Sequence, residues 1–321
     1  MNRWWHYLLA ALTVLVLTTT AMVALAAAMI YPNLPSLETL KDYRPKQPMR
    51  IFTEDGALIG EFGEERRAVV QLKDMPRFLR QAILAAEDER FYEHGGVDTL
   101  GVLRAAISNV MSGGAKEGAS TITMQVARNF FLSSEKTFKR KLNEALLAIK
   151  IEHALSKDEI LELYINHIFL GQRAYGFAAA SQIYFGKPLA KINLAEAAML
   201  AGLPKAPSAY NPVVNPARAK TRQLYVLGRM KTLNYITESE YQRAKDQRLS
   251  VKYSPQNFEA DAPHLAELVR QRMYQKYGDA IYTSGMQVYT TLRQADQNAA
   301  AAGMRLGVLE VRRRRGYTGP P

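Results

Sequence analysis

The spacing of apolar residues changes along this chain, and each change predicts a different kind of element. From Leu8 to Ile30 the sequence is an uncharged run of mostly Leu, Ala, Val, Thr and Met, long enough for a helix that spans a bilayer core. Trp4, Trp5, Tyr7 and Tyr31 flank it, as aromatic residues do at a membrane interface. Pro32, Pro35, Pro45 and Pro48 then mark an extended linker. Between Met49 and Leu72 the pattern predicts a small β element, with residues 50–53 and 57–59 joined by a turn at Asp55-Gly56. From Pro76 to about Ala244 the spacing is mostly helical. Phe78, Leu79, Ala82, Ile83 and Ala86 form one apolar stripe. Phe138, Leu142, Ala145 or Leu146, and Ile149 form another, on a helix predicted from about Glu135 to Ala154. Ser156-Lys157-Asp158-Glu159 has the capping-box pattern that opens a further helix. Residues 202–216 are rich in proline and predict an irregular connection, whereas residues 284–292 alternate as a strand does. The expected fold class is mainly α.

Composition narrows the setting. At 321 residues the chain has room for an anchor, one sizeable domain and some appended structure. Its net charge of +12 implies an anionic partner: nucleic acid, anionic lipid or a phosphate-bearing substrate. There is no cysteine, which excludes disulfides and Cys-based metal sites. The five histidines show no metal-ligand spacing and no His-Glu-x-x-His pattern, so no metal site is expected. The length of the 8–30 run favours a retained anchor over a cleaved signal peptide, although Ala24 to Ala28 would suit cleavage. Arg3 and the terminal amine precede the run, which places the N-terminus in the cytoplasm and everything after Tyr31 outside it. Lys41, Arg44, Lys46 and Arg50 on the far side weaken that bias.

Two clusters carry candidate chemistry. Glu87-Asp88-Glu89-Arg90-Phe91-Tyr92-Glu93-His94-Gly95-Gly96-Val97-Asp98 gathers five carboxylates around an aromatic pair and a histidine. Glu87 follows an apolar helix, where desolvation suits a carboxylate to general-base work. The same residues would also serve as an acidic helix end before a Gly-Gly turn. The second cluster is Lys136, Arg140 and Glu144, spaced i, i+4, i+8 along one helix face. It reads either as a solvated ion-pair ladder or as cations for a diphosphate. Cation before carboxylate is the weaker order for helix ion pairs, which detracts from the ladder.

The first cluster resembles the first motif of the family-51 peptidoglycan glycosyltransferases, the polymerase half of class A penicillin-binding proteins. Gly118-Ala119-Ser120-Thr121-Ile122-Thr123-Met124-Gln125 with Arg128-Asn129 is similar to the second motif, and Arg140-Lys141-Leu142-Asn143-Glu144 to the third. Ile160-Leu161-Glu162-Leu163-Tyr164-Ile165-Asn166, with Gly171, Gly176 and residues 184–187, is similar to the fourth. Ala201-Gly202-Leu203-Pro204, with Pro207 and Tyr210-Asn211-Pro212, is similar to the fifth. All five stand in the family's order.

The resemblance implies a lysozyme-like helical fold with a small membrane-proximal lobe, and residues 111–116 lie in the glycine-rich stretch where that lobe would move. It implies polymerisation of lipid II into β-1,4-linked glycan, with inversion and release of undecaprenyl diphosphate. Glu87 takes the place of the general base and Glu144 that of the second acidic residue. Arg128, Lys136, Arg140 and Lys141 match diphosphate-binding positions, and Ser120, Thr121, Gln125 and Asn129 match positions that bond sugar or phosphate. Asp88, His94, Glu162 and Asn166 match motif residues whose role is either structural or substrate contact. No cofactor is required by the resemblance, although Mg²⁺ or Mn²⁺ would suit the substrate diphosphate. The implied partners are lipid II, the growing strand, the membrane and cell-wall synthesis proteins, with no nucleic acid. The implied location is a bacterial inner membrane with the catalytic part on the periplasmic or outer face.

The expected organisation is residues 1–31 as cytoplasmic tip and anchor, 32–48 as linker, 49–245 as the catalytic domain and 246–321 as the start of a linker toward an absent penicillin-binding domain. Ser133-Ser134-Glu135-Lys136 satisfies Ser-x-x-Lys, the transpeptidase nucleophile pattern. It sits inside the glycosyltransferase block without Lys-Thr-Gly or Ser-Asp-Asn partners, so β-lactam binding is not expected. Two other readings share these residues: a lysozyme-like hydrolase using Glu87 and Glu144 as paired carboxylates, and an inactive membrane-tethered scaffold.

Overall fold

A computed structural model describes residues 4–41, 46–63, 65–112, 118, 120–132, 137–251 and 258–316. The helices are α1 (Trp4–Ile30), α2 (Glu38–Lys41), α3 (Arg77–Glu87), α4 (Thr99–Met111), α5 (Ile122–Phe131), α6 (Phe138–Ala154), α7 (Lys157–His167), α8 (Phe177–Phe185), α9 (Leu194–Gly202), α10 (Pro216–Thr232), α11 (Glu238–Asp246), α12 (Pro263–Tyr277) and α13 (Gln294–Arg314). The strands are β1 (Met49–Phe52), β2 (Leu58–Phe62), β3 (Arg66–Arg67), β4 (Ala174–Tyr175) and β5 (Gln287–Tyr289). The protein is mainly helical, as its apolar spacing requires. Among the described residues no helix is long and apolar enough to cross a membrane. The anchor expected at residues 8–30 is therefore not shown by the structure, although α1 forms there.

The chain divides into two compact units, one of Met1–Tyr43 with Ile83–Ile165 and one of Arg44–Ala82 with Asn166–Pro321. In the first, α5 lies against α6. Ile122, Val126 and Ala127 of α5, and Leu147, Ala148 and Ile151 of α6, are fully or almost fully buried, with Phe91, Ile160, Leu161 and Tyr164. The capping box at Ser156 forms as expected: Ser156 N–H donates to Glu159 Oε2 at 2.7 Å, and the Glu159 amide returns a bond to Ser156 Oγ at 3.3 Å. Thr137 caps α6 by accepting the Arg140 amide at 3.1 Å, so the described part of that helix begins at Phe138. Lys136, with the rest of the Ser-x-x-Lys pattern, lies outside the described residues, as do residues 113–116 of the glycine-rich stretch.

In the second unit β1 pairs antiparallel with β2, with a register shift between Ile51 and Phe52. Gly56 takes φ +87 in the connecting turn, a conformation that side chains oppose. β5 runs parallel to β1 on its other edge, so the alternating segment near residue 288 joins the small β element. Met49, Ile51 and Ile59 bury against Ala262, Ala266 and Ile281. α9 is buried along its length and lies against α10. Its start is a capping box between Asn193 and Glu196. The proline-rich segment after α9 is a run of turns, as expected.

Candidate active site

Glu87 is the last residue of α3. The apolar stripe of that helix, Leu79, Ala82 and Ile83, is fully buried, which leaves Glu87 half-buried at its end. The buried Gln125 of α5 donates from Nε2 to Glu87 Oε2 at 2.9 Å. That side-chain amide orients the carboxylate without cancelling its charge.

Asp88 turns the other way. It is buried, and its Oδ2 accepts the Ile122 amide at 2.9 Å. Ile122 opens α5, so the carboxylate sits where unsatisfied amides and the helix dipole favour negative charge. His94 Nε2 lies 3.0 Å from both Asp88 oxygens. Asp88 and His94 therefore hold the loop in shape. Gly96 follows with φ +91, and a Cβ there would stand 2.8 Å from the backbone carbon and oxygen of Ala148. Only glycine allows this approach to α6. The Thr121 hydroxyl donates to the Gly96 carbonyl at 2.6 Å and caps α5 by accepting the Met124 amide at 3.1 Å. Asp98 caps α4 through the Gly101 amide and receives Arg90.

The third-motif residues form a second cluster in the same unit. Glu144 is fully buried, with Oε1 taking Arg140 and Oε2 taking Lys141 Nζ at 2.9 Å. Lys141 also reaches Ser120 Oγ. Ser120 and Thr121 are consecutive, so one peptide joins the basic cluster to the loop that follows Glu87. Arg128 is half-buried and Asn129 exposed on α5. Arg128, Glu87 and Asp88 all act electrostatically on the buried Tyr164 hydroxyl, whose pKa burial pushes well above the ordinary phenol range.

The structure thus brings together Glu87, Asp88, His94, Ser120, Thr121, Gln125, Arg140, Lys141 and Glu144. Glu162 lies half-buried on α7. Asn166 belongs to the other unit and clasps one residue of backbone there: it donates to the Val70 carbonyl at 2.8 Å and accepts the Val70 amide at 2.9 Å. A polar group absent from the sequence reading also emerges. Lys157 donates to Glu152 at 2.7 Å and to the His94 carbonyl, and Thr123 donates to the same Glu152 oxygen at 2.6 Å. Nothing in local spacing pairs these residues, although Thr123 falls within the second motif. Among the described residues no group of three His, Cys, Asp or Glu side chains converges as a metal site.

Chemically, an oriented carboxylate can take a proton from an alcohol, and a cationic cluster in the same unit can stabilise a departing anion.

The chain is similar to known proteins. A family model described as Transglycosylase matches residues 55–231. The chain is 53% identical over 298 residues to penicillin-binding protein 1A of Neisseria cinerea, covering 93% of this chain and 37% of that protein. It is 46% identical over 319 residues to penicillin-binding protein 1A of Pseudomonas aeruginosa, covering 99% of this chain and 38% of that protein. A 2.6 Å crystal structure of penicillin-binding protein 1A from Haemophilus influenzae is similar at a TM-score of 0.49 and 35% identity, over 86% of this chain and 31% of that one. The chain therefore spans less than two fifths of the curated relatives it matches.

Proposed function

Since this chain belongs to the transglycosylase family, we propose that it polymerises lipid II into β-1,4-linked glycan strands for bacterial cell-wall synthesis. The 4-hydroxyl of the acceptor sugar attacks the anomeric carbon of the lipid-linked donor. Glu87 takes the hydroxyl proton as the new C–O bond forms. The bond to the diphosphate breaks with inversion, and undecaprenyl diphosphate leaves with the electron pair. Arg128, Arg140 and Lys141 meet the charge that develops on it, with Lys136 joining them by resemblance. Both Glu144 oxygens face cations, which supports an orienting role for Glu144 rather than direct protonation of the leaving group. Thr121 is committed to capping α5, which supports a structural role there, whereas exposed Asn129 is open to substrate.

The observation that carries this reading is that one segment, Ser120 to Gln125, bonds both to Glu87, through Gln125, and to the Arg140–Lys141–Glu144 cluster, through Ser120. A hydrolase has no use for a diphosphate clamp, so the cationic cluster favours synthesis over cutting. Mg²⁺ or Mn²⁺, where used, would come with the substrate diphosphate and neutralise part of its charge, a task the protein's own cations already named would share.

We place the active unit on the outer face of a bacterial inner membrane, anchored through residues 8–30, in a lysozyme-like helical fold with a small membrane-facing lobe. Support comes from α4, where Leu100, Leu103, Ile107, Val110 and Met111 are exposed on one face, a surface suited to lipid. Proteins of cell-wall assembly are its natural partners in that place.

The test is polymerisation of labelled lipid II in liposomes by the protein and by Glu87→Gln. Polymer from the first and none from the second is expected. No polymer from folded protein would sink the reading, and cleavage of preformed glycan in the same assay would replace it with a hydrolase.

A further inference from the structure

We propose that Lys157 is a positioning residue for Glu87, acting through the loop that follows it; this deepens the glycosyltransferase reading and rests on it. Lys157 opens α7 and is not among the residues that meet substrate in that reading. Its ammonium donates to the His94 carbonyl at 2.5 Å and to Glu152 Oε1 at 2.7 Å, and stands 4.5 Å from the centre of the buried Phe91 ring. The same Glu152 oxygen accepts the hydroxyl of fully buried Thr123 at 2.6 Å. One cation therefore ties the loop after Glu87 to α5, α6 and α7.

His94 is held at two points. Its imidazole grips Asp88 at 3.0 Å, and its carbonyl is held by Lys157. Asp88 is bonded to the start of α5 and is the residue next to Glu87. Release of the His94 carbonyl loosens the imidazole, Asp88 is then left to its bond with the Ile122 amide, and the neighbouring Glu87 shifts its register with Gln125. A semi-buried ion pair adds little net stability over apolar packing. Directed contacts from one ammonium to a carbonyl, a carboxylate and a ring face instead fix geometry, and geometry is what a general base needs.

The experiment compares initial rates of lipid II polymerisation for the full chain, Lys157→Met, and the double variant Lys157→Met with Glu152→Gln. The single variant strands the Glu152 carboxylate and is expected to lose stability. The double variant removes that stranded charge, so it is expected to fold as the parent does while the His94 carbonyl still lacks its donor. Its kcat is expected to fall about tenfold to a hundredfold, with KM for lipid II within about twofold of the parent, while Lys157→Arg restores part of the rate. Parental kcat in the double variant would overturn the proposal, because Lys157 would then serve only to neutralise Glu152. A rate loss tracking the folded fraction, measured by circular dichroism, would overturn it equally. Failure of the parent to make polymer would instead strike the glycosyltransferase reading itself.

Discussion

The side-chain amide of Gln125, on α5, donates to Glu87, at the end of α3, across 2.9 Å. This bond joins the first two motifs and fixes the direction of the carboxylate. Replacing Gln125 by Leu keeps the size and removes the donor. We expect kcat for lipid II polymerisation to fall by about tenfold, less than the hundredfold or more expected of Glu87→Gln. Steady-state rates across lipid II concentrations check this. An unchanged kcat in Gln125→Leu would show that Glu87 is oriented by something else.

Tyr164 carries a pH-dependent prediction. Burial raises its pKa, the Glu87 carboxylate adds to the rise, and Arg128 opposes it. The unfolded phenol titrates near 10. A raised folded value means the contribution is complete below about pH 10 and is lost as pH climbs toward that folded value. The Tyr164 hydroxyl also has no hydrogen-bond partner among the described residues. Tyr164→Phe is expected to be neutral or stabilising by up to about 1 kcal/mol, with a shallower fall in stability above about pH 10. Denaturant unfolding at neutral and alkaline pH measures both, and a large loss at neutral pH would contradict it.

Glu144 sits between two cations of unequal exposure. Arg140 is 18% and Lys141 43% exposed, while Glu144 is 1% exposed. Removing the carboxylate of a buried pair commonly costs about 3–5 kcal/mol, but these cations can recover water. Glu144→Ala is therefore expected to cost about 2 kcal/mol, below that range. Thermal and denaturant unfolding check the cost. Polymerisation assays should show a larger loss of rate than the lost folded fraction explains.

Adjacent glycines should respond oppositely. A Cβ at Gly95 meets nothing within 4 Å, whereas one at Gly96 meets the Ala148 backbone at 2.8 Å in a left-handed conformation. Gly95→Ala is expected to be tolerated. Gly96→Ala is expected to destabilise by about 1–3 kcal/mol and to lower polymerisation with it. Equal behaviour of the two variants in unfolding experiments would mean the loop does not approach α6 as described.

Asn166→Ala separates a backbone clasp from a substrate contact. It strips both hydrogen bonds from Val70, at a cost of about 2 kcal/mol. The activity of the molecules that remain folded should be unchanged. A raised KM at unchanged stability would return Asn166 to the substrate.

Much of this protein was legible in residue order alone. Apolar spacing located the helix that ends at Glu87, because burial of Leu79, Ala82 and Ile83 is a property of one face of one helix. The Ser156 capping box and the Asp55-Gly56 turn were readable for the same reason: their partners lie within a few residues. Motif order supplied the candidate residues, and it supplied Glu87 and Glu144 as a pair. Tertiary structure decided what each residue does with its hydrogen bonds. Asp88 and Glu87 are neighbours of one type, yet one accepts a backbone amide at the start of α5 and the other a side-chain amide from within that helix. Thr121 and Asn166 turned out to be committed to backbone groups. The union of β5 with β1, and the meeting of Lys157, Glu152, Thr123 and His94, depend on segments far apart in the chain. Local pattern records which face of an element is apolar; which polar groups meet once those faces are buried is set only by the packing of one element against another.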